Sequence, residues 1–492
     1  MHFIKKASNG YLWNQLLKFF EFALIFIFSV ILARGLGETQ YGLYSTLMSI
    51  CAVVILFIST GMEEAIISFL PKYSEAIEKQ NIVTLFLQLR IGIFILVATL
   101  LYFFAPIIST ILNNNELSNL IRYSVLYIIF SSLANLVIHI YIAGLDLKTV
   151  FIVKTISLIF NATCSYFLLI RGQGIKSILA ILTISSAFIV IVLAYRARHQ
   201  PGFRPRRIEK NIMKFCCNIW LINIINFILG KQSDILMLSS LLGNQAYIGY
   251  YNVAFSLKSN ISLLFISGLG GVGLTTVSRI IQSKDEKKIH KTIDVLIKMA
   301  VFLSIPLTIF SMINAQHIIM YIFSDQYAPS IQLLQIFIGF DIICRLMGGG
   351  IYVTLFYAIE KSNIVLVLRL ISGIVNVILN LILIPEIGVC GAVIATGFSG
   401  LMLISSEMIW MRKYIKIKYP VQFIFKIVFS SLAAAAIVSI FPIYDLVGLI
   451  GRAAGYGLTL VIILYLLSPL TDEDKQIIAN ANQVIYKIIK YF

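Results

Sequence analysis

Lys258 stands inside a long apolar stretch, residues 245–280, with no acidic residue one turn away along that stretch. At ~1.5 Å per helical residue it lies ~16–20 Å from the stretch's start, near the centre of a membrane-crossing helix. An ammonium at that depth costs ~2.5–3.5 kcal/mol or more and usually marks a pathway or a buried pair. The chemistry it offers is electrostatic: it holds an oxyanion, or it pairs with a carboxylate on another helix. Arg90, Lys154 and Lys18 lie ~9–12 Å from one end of their own apolar segments by the same measure. That depth suits either a polar cavity or a side chain that snorkels to the interface. Lys18 also has Glu21 three residues on, a local pair. Arg34, at the far end of the first segment, either contacts an anion on its way out or snorkels.

Two further constellations carry both charges. Asp341 and Arg345 stand at i and i+4, which sets them on one helix face as a buried pair or as the gate of an ion-linked step. Lys231 and Asp234 invite the same reading. Asn223 with Asn226, and Asn376 with Asn380, share helix faces by spacing. Such amides bind sugar hydroxyls or hydrogen-bond neighbouring helices.

Signals for enzymatic chemistry are weak. The glycines at 268–273 lack the Gly-Lys-Ser/Thr of a phosphate loop and any preceding strand, so they read as a close-packing or kinking element. The five histidines do not cluster at metal-ligand spacing, and the six cysteines fall in apolar stretches as packing residues. No cofactor is expected. A driving force would come from an H⁺ or Na⁺ gradient, the membrane potential or removal of product.

The elements that must position these residues are transmembrane helices. The chain is 59% hydrophobic and only 12% charged, against roughly 45–50% and about 25% for soluble domains. Spans are expected at 11–34, 42–68, 82–105, 117–143, 148–170, 174–196, 212–240, 245–280, 292–313, 328–357, 362–384, 387–411, 421–441 and 444–468. The net charge of +17 would suggest nucleic acid in a soluble protein, but here basic residues gather in alternate loops. The loop from Arg196 to Lys214 is the most basic of them, whereas 242–245 and 324–327 hold no Lys or Arg. By the positive-inside rule both termini face the cytoplasm, and nucleic acid is not expected as a partner. Residues 471–492 open with an acidic first turn and continue as an amphipathic helix on the cytoplasmic membrane surface.

The chain also repeats itself. Leu36-Gly37…Tyr41-Gly42-Leu43-Tyr44 is echoed by Leu242-Gly243…Tyr247-Ile248-Gly249-Tyr250-Tyr251, and Gly174…Ser177 by Gly388…Gly391. Six helices per half preserve orientation across the membrane, and parallel repeats place a binding site at their interface. The expected organisation is an N-terminal lobe at 1–200, a second lobe at 201–415, accessory helices 13 and 14 at 416–470 and the tail at 471–492.

Ala33-Arg34-Gly35-Leu36-Gly37 with Tyr41-Gly42 resembles the first-loop motif of bacterial polysaccharide (Wzx-type) flippases, within the multidrug/oligosaccharidyl-lipid/polysaccharide exporter superfamily. Asp234 with Gly249–Ala254, the stretch Tyr321–Tyr327, and Asn376 and Asn380 with Ile384–Thr396 are similar to later motifs of that family. The resemblance covers nearly the whole chain. One departure is the absence of a proline from 268–276. It implies an all-α membrane protein of about fourteen helices that flips an undecaprenyl-pyrophosphate-linked oligosaccharide to the outer leaflet. Membrane lipids, a polysaccharide polymerase and glycosyltransferases are its implied partners. The rivals are an ion-coupled drug or metabolite antiporter of the same fold and a peptidoglycan-precursor flippase. A membrane glycosyltransferase or polymerase fits less well, because the loops facing outward are short.

Overall fold

Gly37 interrupts the longest helix of the chain. A computed structural model describes residues 2–73, 75–196, 210–261, 285–415, 417 and 419–475, with the side chains of 2–19, 76, 286 and 287 outside the description. Helix α1 (His2–Ser59) is continuous except at Gly37, whose φ of 72° and ψ of 172° only glycine adopts readily. Its apolar run from Phe20 to Ser59 covers 40 residues, about 60 Å at the helical rise and twice the bilayer core. The two arms are therefore the first two spans, and the expected first loop shrinks to one residue.

Residues 1–252 form one compact unit. After α1 come α2 (Met62–Phe69), α3 (Ala76–Ile111), α4 (Glu116–Ala143), α5 (Leu147–Ile170), α6 (Ile175–Arg196), α7 (Lys210–Ile228), α8 (Lys231–Leu242) and the start of α9 (245–261). Here α1 packs on α4, α5 and α8, while α4 packs on α3 and α6. Lipid is as apolar as leucine, so close packing and hydrogen bonds hold such helices together. Accordingly α3 shows Leu96, Phe103 and Ile111 on its surface. The expected span 42–68 is broken at Thr60 and Gly61, both at positive φ, and resumes as α2. The span 212–240 breaks likewise between α7 and α8.

Residues 253–492 form the second unit. It holds the rest of α9, then α10 (Glu286–Ile313), α11 (Ala315–Ile322), α12 (Ser330–Leu346), α13 (Ile351–Ala358), α14 (Ser362–Ile387), α15 (Val389–Met411), α16 (Val421–Ser439) and α17 (Leu446–Leu467). The hairpin of α14 and α15 packs on α12 and α13, and α16 with α17 packs on α10. Tyr352, Phe356, Ile297, Ile305 and Ile427 meet in its core.

Among the described residues, eleven helices are long and apolar enough to cross a bilayer, and α12 with α13 forms a twelfth, bent by 43°. Counting both arms of α1 and adding α9 brings the total to the fourteen expected. The two compact units divide the chain at a different place from the repeat-based lobes. The basic stretch 197–209, the glycines at 268–273 and most of the tail, 476–492, lie outside the described residues.

Candidate functional site

The repeated motifs meet each other inside the first unit. Gly42 sits so close to α9 that a Cβ built on it would lie 1.7 Å from the Gln245 carbonyl oxygen, and one on Gly249 would lie 2.4 Å from the Glu38 carbonyl oxygen. Each repeat thus presses its glycine against the other's backbone at equivalent positions. Only glycine permits that approach. Polar bonds surround the crossing. Thr46 donates to Gln245 at 3.0 Å, Tyr250 donates to Glu38 at 2.5 Å, and Asn252 donates to Ser45, 207 positions away, at 2.6 Å.

Next to the crossing, Lys231 donates to Asn252 at 2.9 Å and Tyr251 donates to Asp234 at 2.5 Å. Asp234 and Tyr251 are both fully buried. Lys231 and Asp234 therefore belong to one polar cluster that links α8, α9 and the second arm of α1.

At the other break, Arg90 is 1% exposed and directs its guanidinium inward rather than to the interface. It pairs with Glu63 at 2.8 Å and donates to the Ser132 carbonyl at 2.9 Å, the Ser132 hydroxyl at 3.2 Å and the Ser59 carbonyl at 3.4 Å. A helix that breaks at Thr60 and Gly61 frees backbone carbonyls, and Arg90 satisfies one of them. Glu63 also accepts from the Ser59 hydroxyl at 2.6 Å. Glu64, its neighbour, accepts from Asn223 at 3.2 Å. Asn226, three residues on, is exposed on α7.

The other candidates have distinct surroundings. Lys154 pairs with Glu21 at 2.8 Å and ties α5 to α1. The side chain of Lys18 lies outside the described residues, and Arg34 is exposed on α1. In the second unit Arg345 pairs with Asp341 at 2.6 Å along α12. Asn380 donates to Asn376 at 3.1 Å, and Asn376 donates to Thr396 and Ser399 on α15. Lys258 is half-buried, with its ammonium 5.6 Å from the Phe255 ring centre. Among the described residues no carboxylate pairs with it.

Two buried carboxylates escaped the sequence reading. Glu63 lies in the span that was expected to be continuous, and Glu407, near the end of α15, is 1% exposed. A plain inventory of ionisable residues inside apolar spans would have found both.

The helix order, the broken spans and the mutual packing of the repeats define a multi-pass membrane transporter. A family model described as polysaccharide biosynthesis protein matches residues 31–332, and one for the lipid II flippase MurJ matches residues 221–467. The chain belongs to the polysaccharide biosynthesis protein family, and its second half matches the lipid II flippase MurJ model as well. Its fold is similar to that of lipid II flippase MurJ in an inward closed conformation, with a TM-score of 0.76 and 17% identity over 93% of this chain and 98% of that one. It is also similar to a multidrug resistance MATE family transporter in an inward-facing conformation, with a TM-score of 0.64 and 13% identity over 79% and 93% of the two chains. An uncharacterized membrane protein of Methanocaldococcus jannaschii is 24% identical over 83% of this chain and 84% of its own length. The matching families are flippases and transporters rather than enzymes.

Proposed function

We propose that this protein moves an undecaprenyl-pyrophosphate-linked oligosaccharide from the cytoplasmic to the outer leaflet of a bacterial or archaeal cytoplasmic membrane, by alternating access of its two repeats. The anionic head must cross hydrocarbon while the polyprenyl tail stays in lipid, so the path needs a fixed cation without its own counter-ion. Lys258 is the observation that carries this reading. It is a half-buried ammonium on α9 with no carboxylate partner among the described residues. We assign it to the pyrophosphate, and Arg34 to the departing head. Arg90 and Lys154, each held by a glutamate, brace the helices. We assign the crossing at Gly42 and Gly249 to the outer gate. A peptidoglycan precursor carries the same pyrophosphate and is the nearest alternative cargo. Glycosyltransferases that build the oligosaccharide and a polymerase that extends it are the fitting partners.

Binding tests this directly. Fluorescent undecaprenyl pyrophosphate should bind the detergent-solubilised wild type, and Lys258→Ala should weaken binding by about tenfold or more, the worth of one charge-assisted hydrogen bond. Equal affinity of wild type and Lys258→Glu would remove the assignment.

A further inference from the structure

We propose that Glu407 is a proton-binding site, and that its protonation couples transport to a pH difference across the membrane. The coupling rests on the flippase reading above, whereas proton binding does not.

The other buried carboxylates of the described chain all have donors. Glu63 has Arg90 and Ser59, Asp234 has Tyr251, and Asp474 has Lys298. Glu407 differs. It is 1% exposed, its Oε1 accepts no hydrogen bond, and no cation among the described residues lies within ion-pair distance of it. An ionised carboxylate so placed is strongly disfavoured. The packing seen here accommodates the neutral acid.

α12, α13 and α14 pack against α15. From α13, Tyr352 lies in electrostatic range, but its hydroxyl donates to the Met347 carbonyl at 2.6 Å. α12 carries the Asp341–Arg345 pair, closed on itself at 2.6 Å. Tyr419 donates to the Leu346 carbonyl. Arg412 follows the end of α15 and acts electrostatically on Tyr352. Arg369, half-buried on α14, is the cation that acts on Glu407, without forming an ion pair with it here.

Two states follow. With one proton bound, Glu407 is a neutral packing residue. When that proton leaves, the new carboxylate draws Arg369 towards it and shifts α14 against α15 at this end of the hairpin. The same hairpin is pinned further along by Asn376 on Thr396 and Ser399, which concentrates the movement near Glu407. The step is a simple protonation that changes the site by one charge and involves no oxidant or reductant.

The test has two readouts. Infrared difference spectroscopy of the purified protein in nanodiscs should show a protonated-carboxyl band at neutral pH that titrates with base. Glu407→Gln should remove the band and Glu407→Asp should retain one. In proteoliposomes, a one-unit pH gradient should shift the wild-type transbilayer distribution of the lipid-linked pyrophosphate by up to about tenfold per coupled proton. In Glu407→Gln the ratio with and without the gradient should fall to about one. A band that persists in Glu407→Gln overturns the site. A wild type that flips lipid equally with and without the gradient overturns the coupling. If the band behaves as expected but no lipid is flipped, the proton site stands and the flippase reading fails.

Discussion

Glu63→Gln should loosen the broken second span more than any surface change. The substitution keeps the side chain's shape and an acceptor oxygen but removes the charge facing Arg90. Arg90 is 1% exposed and pairs with Glu63 at 2.8 Å, with only neutral acceptors on Ser59 and Ser132 beside it. Removing one partner of a buried ion pair costs about 3–5 kcal/mol, because the remaining charge stays buried. That corresponds to roughly a 10²–10⁴-fold rise in the population in which the break at Thr60 and Gly61 opens. Trp220 reports locally. Its indole donates to the Leu56 carbonyl at 3.1 Å and its ring packs edge-on against Phe57, just before the break. With Trp13 and Trp410 replaced by Phe, Trp220 fluorescence during thermal unfolding in nanodiscs gives the stability difference. The double variant Arg90→Leu/Glu63→Leu should recover most of the loss, since no charge is then stranded. If Glu63→Gln leaves the unfolding midpoint unchanged while lipid binding falls, Arg90 contacts cargo and the bracing role is refuted.

Other outcomes follow from the same geometry. Gly42→Ala places a methyl where the Gln245 carbonyl sits, so the crossing must part at a cost of about 1–3 kcal/mol. A disulfide between Ser45→Cys and Asn252→Cys, whose native side chains meet at 2.6 Å, should form readily in the parent and poorly with Gly42→Ala. At the start of the tail, burial opposes ionisation of Asp474, but hydrogen bonds from Lys298 and Thr471 prevail and hold its carboxyl below the usual range. A carboxyl depressed by folding stabilises the docked start of the tail above its unfolded pKa and loses that contribution as pH falls through the folded value. Proteolysis after Lys475 should therefore be slow and constant from pH 5 to 8, rising only below about pH 4. Asp474→Asn should expose the site at neutral pH.

The spans were readable because apolar runs separated by short polar breaks dominate the chain. The repeat was readable because Gly42 and Gly249, like Tyr44 and Tyr251, stand at one offset. The structure adds that these echoes lie against each other. Asp341 and Arg345 could be paired by spacing, since four residues bring side chains onto one face. Partners distant in sequence could not. Lys154 finds Glu21 133 positions away, and nothing local to Arg90 points to Glu63. The break in the second span was hidden as well. It turns at Thr60 and Gly61 without proline, and hydropathy does not change there. Asn376 and Asn380 looked equally suited to sugar or to helix packing, and only the Ser399 and Thr396 hydroxyls on α15 show what they touch.

The most direct test of the account is translocation of a fluorescent undecaprenyl-pyrophosphate-linked oligosaccharide in proteoliposomes, comparing wild type with Lys258→Ala and Lys258→Glu. The account predicts that wild type flips the lipid, that Lys258→Ala slows it by about tenfold or more, and that folded Lys258→Glu stops it. A wild type that leaves the lipid in place but exchanges an organic cation for Na⁺ or H⁺ would contradict it and make the protein an antiporter.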